Sequence, residues 1–420
     1  MAEQLTYIEL FAGAGGLAEG FMRAGFTPVA HIEIDKYSSL TIKTRLAYHY
    51  LKKRKKLFVY HNYLKGQISR DELYSCLPEN IATGMINKEI REDNLFDLFK
   101  NIEKRLTRLK LKKIDVIAGG PPCQAYSLVG RARDPYSMEK DPRNYLYKLY
   151  AKFLHKFKPE VFVFENVPGL LSAGKGKLWE DVKKHFGNAG YIVDYKILNV
   201  CDFGVLQNRK RVIVIGWRKE LNFHYPEFKK NEEITNYKVK DILVDLPPLL
   251  PGEKITNGNY VSEPTSYLKK YGLRSKEDLL TLHMTRKIND RDRKIYRLTI
   301  ETWEKHKKRL MYTDVPEKYR THNNQKSFLD RFKVVAINLP YSHTVVAHLA
   351  KDGHYYIHPD IKQLRSISVR EAARLQSFPD NYYFEGPMTA KFRQIGNAVP
   401  PLLAEKIAGE IKEIIKWVKN

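Results

Sequence analysis

The sequence Tyr7-Ile8-Glu9-Leu10-Phe11 is a short apolar run that leads directly into the glycine-rich stretch Ala12-Gly13-Ala14-Gly15-Gly16. The apolar run predicts a buried β-strand. Apolar residues at helical spacing follow over residues 17–24, and Gly25 stands where a glycine commonly ends a helix. Pro28 to Ile34 then predicts a second strand. Strand, helix and strand in this order are typical of an α/β fold with a parallel sheet.

An acidic side chain at the end of the second strand indicates what this unit could hold. Glu33 lies 20 residues after Gly13, the spacing at which nucleoside-binding units place the carboxylate that takes the ribose hydroxyls. The loop reads Gly-x-Gly-Gly, so by itself it is equally compatible with a tight turn that binds nothing. The loop and Glu33 together favour a nucleoside site.

A second turn holds a cysteine at a position suited to chemistry. The predicted strand Ile114 to Ala118 runs into Gly119-Gly120-Pro121-Pro122-Cys123-Gln124-Ala125. Its glycines and prolines stop the strand and force a rigid turn. Cys123 therefore follows the carboxyl end of a strand, where open α/β sheets place their ligand sites. A free cysteine is usually a small buried residue, so the turn alone indicates a nucleophile only weakly.

Composition limits the class of protein and of partner. The chain has 420 residues, of which 43% are hydrophobic, so it can bury a large core and is expected to form two domains. Its formal net charge of +25 predicts a polyanionic partner, which could be DNA, RNA or an anionic membrane surface. No apolar run is long enough to span a membrane and no secretory signal is visible, so neither is expected.

The cysteines argue against a metal centre. Cys76, Cys123 and Cys201 are far apart in sequence and include no Cys-x-x-Cys pair, so a zinc site or an iron–sulfur cluster is not expected. A sparse, odd set of cysteines is typical of a reducing compartment, which predicts a cytoplasmic protein.

The regularity of the pattern divides the chain. Apolar strands recur up to about residue 220, whereas Lys, Arg, Tyr, His and Asn dominate from Leu221 to about Ile361. A regular pattern returns where Pro400-Pro401 begins an amphipathic helix. We therefore expect a first domain of residues 1–220, completed by the C-terminal helix in 391–420, and a second of 221–390.

A basic run interrupts the first domain. Leu51-Lys52-Lys53-Arg54-Lys55-Lys56 opens a stretch to Lys88 that is longer than a crossover between strands needs. We interpret this stretch as a helical insertion. Its basic run is either a solvated face or a contact with phosphates.

Three further motifs follow predicted strands or precede a helix. Glu165-Asn166-Val167 ends the strand Val161–Phe164, a position suited either to proton transfer or to capping a helix. If Gln207-Asn208-Arg209-Lys210-Arg211 is extended, its first, third and fifth side chains share a face that could hold a carbonyl oxygen or a phosphate, or form a basic edge. Gln394 to Pro401 is a polar glycine turn before a helix, suited to a carboxylate or an amide.

The order of these motifs resembles that of the cytosine-C5 DNA methyltransferases of bacterial restriction-modification systems. The resemblance covers the chain except for the insertion and the segment near 221–335. Two positions depart from the family pattern: Glu89 stands where the family prefers an aspartate that contacts the adenine, and Leu206 stands where it commonly has proline. The similar motifs are Phe11 to Gly16 (the S-adenosylmethionine loop), Gly120 to Gln124 (the nucleophile), Glu165 to Val167, Gln207 to Arg211, Arg370-Glu371 with Arg374 to Pro379, and Gly396 to Pro401.

The resemblance implies a fold and an activity. The fold is a doubly wound, Rossmann-like α/β domain that binds S-adenosylmethionine, with a smaller, irregular target-recognition domain and hinge over 221–390. The activity is transfer of a methyl group from S-adenosylmethionine to C5 of a flipped-out cytosine in a specific double-stranded DNA sequence. S-adenosylhomocysteine is the expected product, and no metal is expected.

The resemblance also implies roles for individual residues. The catalytic set is Cys123, which would add to C6 of the cytosine, Glu165, Arg209 and Arg211. The cofactor set is Phe11, Gly13, Gly15, Gly16, Glu33, Ile34, Glu89, Pro121, Asn397 and Ala398. The DNA-binding set is Gln124, Ser127, Arg131, Arg133, Arg143 and Gln207, most of it in a closing loop from Ala125 to Arg143.

The expected partner is double-stranded DNA, with a companion restriction endonuclease acting on the same site, no membrane and a monomeric enzyme. A transfer-RNA cytosine-C5 methyltransferase of the same fold would typically carry Cys-Phe-Thr and a small recognition region. The sequence has no Cys-Phe-Thr, so it favours DNA. A nicotinamide-dependent dehydrogenase would need neither the Pro-Pro-Cys-Gln turn nor the basic excess, and an inactive DNA-binding regulator would not need the intact catalytic set.

Overall fold

The computed structural model describes residues 4–122, 145–321 and 329–419, with side chains of the last helix described to residue 416. The order of strands in its central sheet is β3-β2-β1-β4-β5-β7-β6, and β7 alone runs antiparallel to its neighbours. The strands are β1 Thr6–Leu10, β2 Thr27–Glu33, β3 Met85–Asn87, β4 Val116–Gly119, β5 Val161–Asn166, β6 Tyr191–Asn199 and β7 Lys210–Arg218. The mostly parallel sheet confirms the predicted α/β class.

Helices lie between the strands and continue into the second half of the chain. The α-helices are α1 Gly16–Arg23, α2 Lys36–Lys53, α3 Leu57–Leu64, α4 Arg70–Ser75, α5 Glu79–Ala82, α6 Leu95–Arg108, α7 Leu146–Phe157, α8 Gly169–Ser172, α9 Lys177–Asn188, α10 Ser266–Lys270, α11 Asp290–His306, α12 Val369–Leu375, α13 Met388–Asn397 and α14 Pro401–Lys419. A small antiparallel ribbon joins β8 Lys254–Ile255 to β9 His283–Met284.

The turn between β1 and α1 depends on backbone conformations that favour glycine. Gly13 and Gly15 have φ angles of +54° and +76°, so Gly15 begins α1 in the left-handed region. Gly25, at φ +91°, ends the helix as the sequence predicts. The first β–α–β unit is therefore confirmed to within a residue at each end.

The C-terminal helix completes the core of the sheet domain. Leu403, Ile407 and Ile411 of α14 are fully buried, as its amphipathic pattern predicts. The helix lies against α1 so closely that an ideal Cβ on Gly20 would stand 2.4 Å from the Cβ of Ala404. The two ends of the chain thus form one packed layer.

The predicted helical insertion is present as α3, α4 and α5. Its apolar side chains, among them Tyr60 and Leu73, pack with Ala47 and Leu51 of α2 in a cluster of their own. The basic run lies at the end of α2 and the turn after it, and the lysines and Arg54 of residues 52–56 are exposed.

The region from 221 to 390 is irregular, as predicted. Short 3₁₀ turns and loops surround α10 and α11, and a separate apolar cluster forms around Ile295, Tyr296, Ile300 and Phe332. Other residues of this region, such as Val345, join the core of the sheet domain. The domain limits at 220 and 390 stay predictions.

Among the helices of the described ranges, none combines the length and apolar character that crossing a bilayer requires.

The contact between α1 and α14 gives a test of the fold. We predict that Gly20→Ala lowers the free energy of unfolding by about 1–3 kcal/mol, because the added methyl overlaps the backbone of α14. Gly409 lies within α14 with no atom within 4 Å of an ideal Cβ, so Gly409→Ala should instead raise it by about 0.5–1 kcal/mol. Urea denaturation of both variants measures the difference in free energy of unfolding. Equal effects would contradict the close contact between α1 and α14.

Candidate active site

The glycine turn after β4 lies against two neighbouring strands at the carboxyl edge of the sheet. An ideal Cβ on Gly119 would lie 2.3 Å from the carbonyl oxygen of Leu10, and one on Gly120 would lie 2.7 Å from Oε2 of Glu165. Only glycine fits at either position without a shift of the surrounding atoms. The turn that leads to Cys123 is therefore seated directly beside Glu165.

Two charged groups of the predicted catalytic set meet across β5 and β7. Nε of Arg211 lies 2.7 Å from Oε1 of Glu165, and their side chains are 12% and 13% exposed. Asn166, the next residue of the motif, directs its amide to the carbonyl of Pro121 at 3.5 Å. A carboxyl and a guanidinium held together at the mouth of a turn could bind two polar atoms on one edge of a planar ring.

Arg209 differs from its prediction as a catalytic residue. Its side chain is 1% exposed, and the guanidinium donates to the carbonyl of Val345 at 2.5 Å and to those of Gly396 and Ala398 at 3.2 Å. These bonds join the return from the second region to the closing motif. They indicate that Arg209 holds the frame of the site.

The prediction that Gln207 binds DNA is corrected by the structure. Its side chain is 0% exposed and its amide bonds protein at both ends. Nε2 donates to the carbonyl of Leu375 at 2.8 Å and to Oε1 of Gln376 at 3.0 Å, and Oε1 accepts from the amide of Val345 at 2.9 Å. The extended pattern predicts which side chains share a face, but it does not show which of them another segment covers.

Glu33 and the glycine loop are brought together at the same edge of the sheet. Oε2 of Glu33 accepts from the amide of Gly13, and Oε1 from that of Asp35, both at 2.8 Å. Burial raises the pKa of this carboxyl, and the two amide donors partly oppose that effect. Next to it, the side chain of Ile34 is 59% exposed, an apolar surface beside an acceptor.

The remaining predicted cofactor residues surround the loop to different degrees. Glu89 follows β3 with its side chain 54% exposed, and Phe11 precedes the loop at a φ of 55°. The closing motif packs on the start of α1, where an ideal Cβ on Gly16 would lie 2.1 Å from the carbonyl oxygen of Val399. Within that motif Asn397 is exposed and Ala398 is buried, and Pro121 is buried in its turn.

Two residues that the sequence reasoning missed hold this edge in place. Nδ2 of Asn87 donates to the carbonyls of Glu33 and Ile34 at 2.9 and 3.0 Å, which fixes the turn after β2. The hydroxyl of Tyr382 donates to the carbonyl of Ala14 in the glycine loop. The position of Asn87 at the end of a strand is a weak sequence signal for its role. No local pattern marks Tyr382.

Several predicted residues lie outside the described residues: Cys123, Gln124, Ser127, Arg131, Arg133 and Arg143. Within the part of the chain that is described, no three His, Cys, Asp or Glu side chains are grouped as metal ligands.

A family model and two relatives of known class match this chain. The family model of the C-5 cytosine-specific DNA methylase matches residues 5–58 and 85–413 and leaves out most of the insertion. The Type II methyltransferase M.Bpa9945I of Bacillus paralicheniformis is 42% identical, over 98% of this chain and 99% of its own. M1.HphI of Haemophilus parahaemolyticus, also a Type II methyltransferase, is 31% identical over 96% and 86%.

Solved structures agree in fold. A protein described as a DNA modification methyltransferase encoded within an E. coli prophage superposes with a TM-score of 0.64 at 22% identity, over 98% of this chain and all of its own. The Dnmt2 methyltransferase of S. pombe superposes with a TM-score of 0.53 at 15% identity, over 99% of this chain and all of its own. Family match and near full-length relatives together show that the chain belongs to the C-5 cytosine-specific DNA methylase family and is a DNA cytosine-5 methyltransferase.

Proposed function

We propose that this enzyme methylates C5 of a flipped-out cytosine in a specific double-stranded DNA sequence, using S-adenosylmethionine and a covalent bond between Cys123 and C6. The observation that supports the proposal most is the Glu165–Arg211 pair, seated against the glycine turn that leads to Cys123. A carboxyl and a guanidinium lie at one sheet edge, beside the turn that precedes Cys123 in the sequence, and with a thiol they are the groups that this chemistry needs.

The residues at the end of β2 fit the nucleoside part of S-adenosylmethionine. The Glu33 carboxylate is held in place by two amide donors, so it is preorganised to accept the ribose hydroxyls. The exposed Ile34 offers an apolar face to the adenine ring, and Glu89 lies after the neighbouring strand. When bound, S-adenosylmethionine supplies an electrophilic methyl group. The other members of the predicted cofactor set keep their roles as part of the proposal.

Each of the polar groups has a task in the proposed reaction. The Cys123 thiolate adds to C6, which places negative charge on the ring and makes C5 nucleophilic. Glu165 donates a hydrogen bond or a proton at N3, and Arg211 binds O2, so both stabilise that charge. After methylation a base removes the proton from C5. The electron pair of that bond re-forms the C5–C6 double bond and expels the thiolate, and any proton taken up at N3 returns to Glu165. Arg209 acts only through the backbone that it holds.

DNA must present the cytosine outside the helix, because C5 and C6 are not accessible in a stacked base pair. The net charge of +25 matches a phosphate backbone as partner. Residues 221–335 would read the sequence. The enzyme acts on DNA, and the name Type II methyltransferase of its relatives favours a companion endonuclease. A monomeric state and a cytoplasmic location stay predictions, and transfer RNA as substrate has no observation in its favour.

The first prediction tests the nucleophile. Cys123→Ser should abolish methyl transfer, while circular dichroism and S-adenosylmethionine binding remain those of the wild type. An oligonucleotide with 5-fluorocytosine at the methylated position should form a stable adduct with the wild type only, found by mass spectrometry on the peptide that contains Cys123. Methyl transfer by the variant would refute the assignment.

A second prediction concerns the nucleoside site. Glu33→Ala should weaken S-adenosylmethionine binding by about 10- to 100-fold in calorimetry, because a charged acceptor of several hydrogen bonds is lost. Glu92→Ala serves as control, since that carboxylate is 69% exposed and pairs only with Lys152 among the described residues. Unchanged affinity of a folded Glu33→Ala protein would argue against the ribose role.

A third prediction separates the two arginines. Arg211→Ala should lower kcat by about 10²- to 10³-fold with little loss of stability. Arg209→Ala should instead lower the free energy of unfolding by about 2–4 kcal/mol, because buried carbonyls lose their donor. These separate roles would be contradicted if the Arg209→Ala protein had wild-type stability and its kcat fell as far as that of Arg211→Ala.

A further inference from the structure

Most of the insertion lies in residues 59–84, which the family model omits. Its helices make two kinds of contact. The first is apolar packing on α2, through side chains such as Leu73 and Leu77. The second reaches a distant segment, residues 380–385, which joins α12 to α13. Any insertion would be stabilised by packing on α2. The contact with residues 380–385 is therefore the one that suggests a specific role.

Two phenol groups of α3 make that second contact. The hydroxyl of Tyr60 donates to the carbonyl of Asn381 at 2.9 Å, and Tyr60 is fully buried. The hydroxyl of Tyr63 donates to Oε1 of Glu385 at 2.6 Å, and its ring meets that of Tyr383 edge to face with centroids 5.7 Å apart. Both bonds leave the insertion for the same short segment.

Glu385 has partners in α2, α3 and α4. Its side chain is 5% exposed, and Oε1 also accepts from the hydroxyl of Thr44 in α2 at 2.6 Å. Arg70 of α4 lies 3.6 Å from Oε2. A buried carboxylate is costly unless its acceptors are satisfied, so these donors fix the position of the segment that carries it.

The same segment is bonded to the proposed recognition region. Nδ2 of Asn381 donates to Oδ1 of Asp278 at 3.0 Å, and the amide of Asp380 donates to the carbonyl of Leu273 at 2.7 Å. Leu279, beside Asp278, packs on the apolar cluster of the insertion itself. The path from α3 to residues 273–279 therefore passes through one or two residues.

We infer that α3 and α4 of the insertion are a positioning element, which sets the orientation of the recognition region against the catalytic sheet through Asn381 and Glu385. The inference rests on the proposed function, in which residues 221–335 read the DNA sequence and residues 380–385 lie outside that recognition region. These helices then contribute to DNA affinity and sequence selectivity through the position of the recognition region.

The test compares hydroxyl deletions that leave no cavity. Tyr60→Phe/Tyr63→Phe removes both bonds to the segment. Tyr191→Phe is the matched control, because its hydroxyl donates to the carbonyl of Pro159 at 2.7 Å, within the sheet domain. Asp278→Ala cuts the same path from the other side, and it decides the question alone if the double variant does not fold.

We expect the double variant and Asp278→Ala to raise KM for plasmid DNA by about 3- to 10-fold, with kcat and the Kd for S-adenosylmethionine within about twofold of wild type. Bisulfite sequencing of the product should show more methylation outside the preferred site. Tyr191→Phe should change neither, even where its melting temperature falls as much.

The inference is overturned if KM for DNA and selectivity stay at the wild-type values, or if the control changes them equally. Binding of the methylated-site duplex by fluorescence anisotropy, without S-adenosylmethionine, keeps this result separate from the proposed chemistry. A wild type that binds the duplex but transfers no methyl group would refute the proposed function, and the anisotropy of the variants would still decide the inference.

Discussion

Close approach of backbone to neighbouring atoms at glycine positions is the constraint on which the active edge depends. Gly120 allows the turn to contact Glu165. Gly16, at the start of α1, allows Val399 of the closing motif to pack against that helix. A methyl group at either position would overlap an oxygen atom, so the atoms in contact would have to shift. These contacts set how closely the turn after β4 approaches Glu165 and how closely the closing motif approaches the glycine loop.

Buried charge then fixes the second half of the chain to that edge. The Arg374 guanidinium lies between Asp245 and Asp380, and all three side chains are fully buried. Nearby, burial alone would raise the pKa of the Glu371 carboxyl, but Arg365 and His358 hold it well below its usual range. Desolvation makes such groups unfavourable unless each is paired, so the network tolerates few other arrangements. The late helix motif therefore has a structural task.

Local sequence predicted the fold where local forces decide it. Apolar runs located the strands, and glycine positions located the turns at the two ends of α1. The role of the insertion could not be predicted in this way. Tyr60 and Asn381 are 321 residues apart, and nothing in the insertion itself marks a phenol that bonds a remote carbonyl. The charge pattern did not indicate this contact either, because the basic run lies just before the helix that carries the bonded tyrosines.

Gln207, Arg209 and Arg211 show what the alternation of side chains along an extended segment can and cannot predict. Extended geometry places all three on one face, and the first two share a partner in Val345. A returning segment pairs with the chain at Gln207 through Ser342 and covers that end of the face. It does not cover the fifth residue, so Arg211 remains partly accessible and meets Glu165. One covering segment thus leaves two buried side chains and one partly accessible side chain in a single motif. Where that division falls is determined by long-range pairing, which no periodicity encodes.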